Sequence, residues 1–155
     1  MTDLMRGVYE PSPSEWVRDQ VDLYESTGGA EGATLPGTDQ SIVVITSVGA
    51  ISGKLRKNPV MRVEKDGVYL AVASKGGAPG DPTWAANFVA DPVVQLQDGP
   101  EPALYRSRLV TDQSEYAEWW ERAVAAFPNY AEYAKKTEGI RQIPLFLLER
   151  VNLVS

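Results

Sequence analysis

The chain has 155 residues, of which 43% are hydrophobic and 23% are charged, and its formal net charge is −6. The acidic excess argues against a nucleic-acid-binding protein, which usually presents a broad basic face. The chain contains neither Cys nor His, which excludes disulfides, thiol nucleophiles, Cys–metal sites and Ser-His-Asp triads. If this chain is an enzyme, we therefore expect a cofactor to carry the chemistry.

The length suits one domain, and we expect residues 1–155 to form a single domain whose first segment, residues 1–13, is flexible. The N-terminal residues lack the apolar core of a secretory signal, and no run approaches 18 apolar residues. We therefore expect a cytoplasmic protein with no integral membrane segment.

The first predicted elements are a helix and a strand. Residues 14–29 place apolar side chains at helical spacing, with Ser12 or Ser14 as the N-cap and two glycines at the end. After a loop, residues 41–49 are rich in β-branched side chains and predict a buried strand.

A hairpin is predicted next. Residues 59–74 alternate in polarity and contain Asp66-Gly67, the strongest hairpin signal in the chain. We therefore expect Pro59–Glu64 to pair with Val68–Ser74 around that turn. A glycine-rich turn, a short helix over 83–91 and a second hairpin over 93–111 follow.

The C-terminal part reads as two helices and a closing strand. Ser114 is the expected N-cap of a helix that Pro128 breaks or kinks, and residues 130–137 predict a shorter helix. Residues 143–151 predict the last strand. This order of elements predicts a mainly β (α+β) fold, in which a small antiparallel barrel carries N-terminal and C-terminal helices packed on it.

Residues 52–63, "SGKLRKNPVMRV", form a basic stretch in an acidic chain. Taken alone, they favour a solvated turn. They follow a Gly-x-x-x-Gly turn, however, where backbone can approach a ligand closely. In the expected hairpin register, Arg56 and Lys57 lie near Ser74 and Lys75 of the second glycine-rich turn. The two turns would then form one pocket for a small anion.

Two tyrosines stand apart from the other aromatic residues. The tryptophans in the predicted helices are expected to pack in the core. Tyr130 and Tyr133 lie just past Pro128, where a tyrosine can offer a pocket both an aromatic wall and a hydroxyl.

Residues 43–99 resemble the deazaflavin (coenzyme F420)-dependent nitroreductase and quinone reductase family. The shared pattern is Gly-x-x-x-Gly-Lys-x-Arg-x-x-Pro, then Ala-Ser-x-Gly-Gly-Ala-Pro, then Pro-x-Trp and Asn. With the flanking segments, the likeness covers roughly residues 14–151. One departure is Ile51, which stands where many relatives have Lys or Arg.

The resemblance implies a split β-barrel of the flavin-reductase or FMN-binding type. It implies reduced F420 as hydride donor to a quinone, a nitroaromatic or a similar electron-poor acceptor. Two alternatives are an FMN-dependent reductase on the same barrel and a non-catalytic carrier of F420 or a quinone. The protein would be a monomer or homodimer that needs no nucleic acid, with a peripheral membrane encounter as one route to its acceptor.

The resemblance also implies functional residues but no metal site. The catalytic residues would be Tyr130, Tyr133 and Ser74. The cofactor-binding residues would be Ser52, Lys54, Arg56, Lys57, Asn58, Pro59, Val60, Met61, Val72, Ala73, Ser74, Lys75, Thr83, Trp84, Ala85, Ala86, Asn87 and Tyr130.

Overall fold

The structure is a computed structural model that describes residues 4–151. Within them, seven strands form one antiparallel sheet that four helices flank. The strands are β1 Ile42–Val48, β2 Leu55–Met61, β3 Glu64–Lys65, β4 Val68–Val72, β5 Val93–Gln97, β6 Pro102–Leu109 and β7 Leu145–Arg150. The helices are α1 Glu15–Thr27, α2 Thr83–Ala90, α3 Gln113–Ala126 and α4 Asn129–Thr137.

The sheet must curl because its two edges are joined by a very short connection. The strand order is β2-β1-β5-β6-β7-β4-β3, so β2 and β3 lie at opposite edges. In a flat sheet, six interstrand spacings of about 4.8 Å would separate these edges by about 29 Å. The chain passes from Met61 in β2 to Glu64 in β3, and three residues span about 10 Å at most. The sheet therefore closes into a half-barrel, which brings β2 near β4.

The predicted Asp66-Gly67 turn is present, but most of the predicted pairing around it is wrong. Both residues have positive φ, +53° and +82°, as the tightest hairpin turns require. Only Glu64 and Lys65 pair with β4. The whole of β2 pairs instead with β1, with Pro59 opposite Val44. With β1, β2 forms a ladder of seven residue pairs after a short turn, which is longer than the two pairs between β3 and β4. On its other side, β4 pairs with β7.

Both faces of the sheet are covered, which explains the nearly continuous apolar runs in β1 and β7. Side chains alternate between two cores. In β1, Ile42 and Val44 face the core that contains α1, α3 and α4, whereas Val43 and Ile45 face the core under α2. In β7, Leu145 and Leu147 belong to the first core, and Phe146 and Leu148 belong to the second.

Helix ends follow local chemistry, with one correction. Ser14 holds the N-cap position of α1 but makes no side-chain capping bond, and Gly28, with a φ of +61°, ends that helix. The expectation that Ser114 caps α3 is wrong. Asp112 holds that position, because its carboxylate accepts the Glu115 backbone N–H at 2.9 Å. The break at Pro128 is confirmed, since α3 ends at Ala126 and α4 begins at Asn129.

The segment before α1 lies against β2. The Glu10 N–H donates to the Leu55 carbonyl at 2.9 Å, and the Leu55 N–H donates to the Val8 carbonyl at 2.8 Å. The expected flexibility of residues 1–13 stays a prediction, as does the single domain over residues 1–155. Residues 1–3 and 152–155 lie outside the described residues.

Candidate functional site

Two adjoining cavities share lining residues and form one groove. The first, which we call the aromatic cavity, has a volume of about 330 Å³ and lies between β1, β2, β4 and the α3–α4 junction. Its lining residues are Trp16, Leu35, Ile42, Pro59, Val60, Met61, Val72, Ser74, Lys75, Gly76, Pro82, Trp84, Phe127, Tyr130 and Tyr133.

The second, which we call the polar cavity, has a volume of about 600 Å³. It lies between the turn after β1, the start of α2 and the N-terminal segment. Its lining residues are Glu10, Ser12, Pro13, Gly49, Ala50, Ile51, Ser52, Arg56, Asn58, Lys75, Pro82, Thr83, Trp84, Ala86 and Asn87. Lys75, Pro82 and Trp84 line both cavities, so an elongated ligand could occupy the two together.

The first turn, residues 49–54, is held to α2. The side-chain oxygen of Asn87, a buried residue, accepts the Ala50 backbone N–H at 2.9 Å. Ser52 folds back inside the turn, where its hydroxyl accepts the Lys54 N–H at 3.2 Å. A Cβ on Gly49 would come within 2.7 Å of that hydroxyl oxygen, so a larger residue there would require the Ser52 side chain to move.

The second turn, residues 74–78, has a shape that suits an anion. Ser74 is right-handed, whereas Lys75, Gly76 and Gly77 have φ values of +47°, +63° and +81°. A right-handed residue followed by a left-handed one turns successive N–H groups toward one concave point, which is a common anion-binding arrangement. The cationic Lys75 lies within the same turn and lines both cavities, so a positive charge lies at their junction.

The four cationic side chains of the basic stretch, residues 52–63, form ion pairs in three different places. Arg56 lines the polar cavity, where its Nη1 donates to the Glu10 carboxylate at 2.7 Å, and Lys54 lies 3.8 Å from the same carboxylate. Lys57 points into the protein, with 3% of its side chain exposed, and pairs with Glu25 of α1 at 2.5 Å. Arg62 pairs with Asp98 at 2.8 Å, away from the groove.

The aromatic cavity is walled by packed rings. Tyr130 is buried, and its ring meets Phe127 edge-on at 5.0 Å and Tyr133 at 6.1 Å. Burial raises the pKa of the Tyr130 phenol well above its usual value, with the Tyr133 phenol as a smaller cause. Like an ordinary tyrosine, Tyr130 is protonated at neutral pH and has a hydrogen to donate, and the raised pKa extends this to more alkaline pH.

The structure brings most of the predicted site residues to the groove. Those in the aromatic cavity are Pro59, Val60, Met61, Val72, Ser74, Lys75, Trp84, Tyr130 and Tyr133. Those in the polar cavity are Ser52, Arg56, Asn58, Lys75, Thr83, Trp84, Ala86 and Asn87. The predicted residues outside the linings of both are Lys54, Lys57, Ala73 and Ala85.

Several groove residues were not predicted from the sequence. Trp16, at the start of α1, is 52% exposed and lines the aromatic cavity, where Leu35 joins it. Glu10 lines the polar cavity and brings a negative charge to it. The one signal available in the sequence was Trp16, an aromatic residue at the start of the predicted helix. The contacts of Glu10 depend on how the N-terminal segment lies along β2.

Comparisons with known proteins identify the family. The family model described as F420H(2)-dependent quinone reductase matches residues 16–150. The chain belongs to this family. An F420H(2)-dependent quinone reductase of Mycobacterium tuberculosis is 32% identical over 130 residues, which cover 83% of this chain and 85% of that relative. The predicted family and its cofactor, reduced F420, are therefore confirmed, and the family implies an oxidoreductase.

Two solved structures are similar to this chain in sequence and fold. An F420-H2 dependent reductase, FDR-A, is 47% identical with a TM-score of 0.64, covering 70% of this chain and 93% of that one. A domain-swapped dimer is 42% identical with a TM-score of 0.68, covering 89% of this chain and all of that one. The predicted split barrel with flanking helices is confirmed, since more distant neighbours also share it. No helix within residues 4–151 is long and apolar enough to cross a membrane.

Proposed function

We propose that the groove binds reduced F420 and that this chain transfers a hydride from it to a quinone, with nitroaromatic compounds as a second acceptor class. The observation that carries the proposal is the junction of an aromatic cavity with a polar, cation-bearing one. F420 joins a flat deazaflavin ring to a phosphodiester and an oligoglutamate tail, so it needs these two surfaces side by side.

The donor groups of the polar cavity fit an anionic tail. Arg56 and Lys75 supply positive charge, and the turn at Ser74 supplies converging N–H groups. Thr83 and Trp84 open α2, and the N-terminus of a helix favours an anion. These groups come from three separate parts of the chain, which suits an extended polyanion better than a single phosphate.

The aromatic cavity suits the ring and the acceptor. Pro59, Val60 and Met61 give it an apolar floor from β2, and Trp84 and Tyr130 give it walls. Apolar walls exclude water, and exclusion of water strengthens every remaining hydrogen bond inside the cavity.

In the proposed mechanism the chain positions reactants and stabilises charge. When bound, reduced F420 supplies a hydride in a two-electron step, so the chain needs no nucleophile. Backbone N–H groups near Met61 and Ser74 would hold the edge of the deazaflavin ring. The protonated Tyr130 phenol, with Tyr133 or the Ser74 hydroxyl, donates a hydrogen bond to the acceptor oxygen as negative charge develops there. Water supplies the final proton.

We also propose that the chain works in the cytoplasm and meets lipid-soluble quinones at the membrane surface. Trp16 at the mouth of the aromatic cavity is half exposed, and Ile51 at the tip of the first turn is fully exposed. An aromatic side chain of this kind suits a water–lipid boundary. The net charge of −6 gives no attraction to anionic lipid, so this contact would be brief.

The test is a fluorescence titration of the purified protein with F420 and, separately, with FMN. The expected result is micromolar or tighter F420 binding, weak FMN binding, and oxidation of reduced F420 when menadione is added. Lys75→Gln should weaken F420 binding, whereas Lys65→Gln, at the far edge of the sheet, should not. A preference for FMN would make the protein a flavin enzyme. F420 binding without turnover of any quinone or nitroaromatic would make it a carrier.

A further inference from the structure

Arg141, between α4 and β7, holds the second turn from outside the groove. Its side chain is 12% exposed, and its guanidinium uses both terminal nitrogens and Nε. Nη1 donates to the Ala73 carbonyl at 3.1 Å and to the Asp81 carboxylate at 2.7 Å. Nη2 donates to the Ser74 carbonyl at 2.9 Å and to the Ala78 carbonyl at 3.0 Å, and Nε donates to the same Ala78 carbonyl at 3.1 Å.

The turn that Arg141 holds is conformationally costly. Lys75, Gly76 and Gly77 are left-handed in succession, and a non-glycine residue such as Lys75 adopts that conformation at an energetic cost. Within the turn, the Gly77 N–H donates to the Ser74 carbonyl at 3.0 Å and the Ala78 N–H donates to the Lys75 carbonyl at 3.1 Å. The bonds from Arg141 fix the carbonyls on either side of the left-handed run.

Arg141 is itself fixed to α4. Its backbone N–H donates to the Thr137 carbonyl at 3.0 Å, and Thr137 is buried at the end of that helix. The same helix carries Tyr130 and Tyr133 of the aromatic cavity. Arg141 therefore ties the turn that bears Lys75 to the helix that bears the tyrosines.

We propose that Arg141 is a positioning residue for cofactor binding. It keeps the second turn in the shape that places Lys75 and the neighbouring backbone of Ser74 and Gly76 on the groove, for the anionic part of the cofactor; this inference rests on the proposed function. Arg141 lies outside the lining of both cavities, so it acts through the turn. Lysine cannot replace it, because one ammonium has three donors and no planar fork to reach three carbonyls and a carboxylate together.

The test compares Arg141→Lys and Arg141→Ala with Arg108→Gln. Arg108 also makes a two-pronged pair, with Glu115 at 2.9 and 3.0 Å, but it lies on β6 away from the groove. F420 affinity is measured well below the unfolding midpoint of each variant. Both Arg141 variants should raise the Kd for F420 by about tenfold, which is about 1.4 kcal/mol, with kcat at saturating F420 nearly unchanged. Arg108→Gln should leave the Kd unchanged.

Two further readouts separate positioning from general stability. Methylguanidinium should restore F420 affinity in Arg141→Ala and not in Lys75→Gln. Without any ligand, the Gly77 and Ala78 amides should exchange hydrogen faster in Arg141→Lys than in the wild type, while core amides exchange alike. Unchanged affinity and unchanged exchange in the Arg141 variants would overturn the inference. Absence of F420 binding in the wild type would instead overturn the proposed function, and the exchange data would still decide whether Arg141 orders the turn.

Discussion

Glu10 places a carboxylate among the cations that we assign to the cofactor tail. It lies 2.7 Å from Arg56 and 3.8 Å from Lys54. An anionic tail must share these cations with Glu10 or displace it. We therefore expect Glu10→Gln, which removes the charge and keeps the shape, to strengthen F420 binding, whereas Arg56→Gln should weaken it.

The magnitude follows from the distances and the exposure. Two unit charges 4 Å apart interact by about 1 kcal/mol in water and about 4 kcal/mol in a partly shielded site. Glu10 is 40% exposed and Arg56 is 31% exposed, so the lower end applies, as for other exposed pairs. Glu10→Gln should therefore tighten binding by about 1 kcal/mol, or about fivefold. Arg56→Gln should cost about 1–3 kcal/mol, as expected for a lost charged hydrogen bond.

The assay is a fluorescence titration with F420 and with its tail-free deazaflavin ring, each at low and high salt. Glu10→Gln should tighten only the binding of F420, and the gain should shrink at high salt because salt screens exposed charges. Glu149→Gln is the matched control, since Glu149 also pairs with an arginine, at 3.4 Å, but on β7. Equal gains for both ligands, or no gain for F420, would refute the assignment of the polar cavity to the tail.

Four other substitutions test three separate parts of the structure. Tyr130→Phe should lower kcat more than it weakens F420 binding, because it removes only a protonated hydroxyl. Steady-state kinetics together with an F420 titration checks this, and equal losses of both would indicate that Tyr130 acts only by packing. Lys57→Met should lower the free energy of unfolding by about 3 kcal/mol, as for a broken buried ion pair. The F420 affinity should be unchanged, because Lys57 pairs with Glu25. Denaturant unfolding and F420 titration measure the two quantities, and a weaker affinity with unchanged stability would return Lys57 to the site. Asp112→Ala should lower the free energy of unfolding by about 1 kcal/mol, whereas Ser114→Ala should lower it little. Thermal unfolding measures both, and the reverse order would restore Ser114 as the N-cap of α3.

Local signals in the sequence predicted the elements well because each depends on near neighbours. The α1 helix ends at its glycine pair, α3 is interrupted at Pro128, and Asp66-Gly67 forms a turn. The strand pairing of β2 was missed, because a turn signal shows where the chain reverses but does not show how far the ladder extends. In the structure, β2 pairs with β1 along its whole length, in seven residue pairs.

Arg56 and Lys57, the two neighbouring cationic residues of β2, show why the sequence did not predict which side chains line the groove. Arg56 and Lys57 look equivalent in the sequence, but successive strand residues point to opposite faces. Arg56 reaches the polar cavity and Lys57 reaches Glu25. Only the register of β2 against β1 decides which side chain faces which way. Arg141 escaped prediction for a related reason, because its side-chain partners lie 60 to 68 residues earlier in the chain.

The two glycine-rich turns still line one cavity, although the hairpin expected to join them is reduced to two residue pairs. The short connection from Met61 to Glu64 closes the sheet, and closure sets the end of β4 beside β2. Arg56 and Lys75 consequently line one cavity without their strands being paired. The groove is thus a product of barrel closure rather than of a local hairpin. Its shape should depend on contacts that hold the turns from outside, such as those of Asn87 on the first turn and Arg141 on the second.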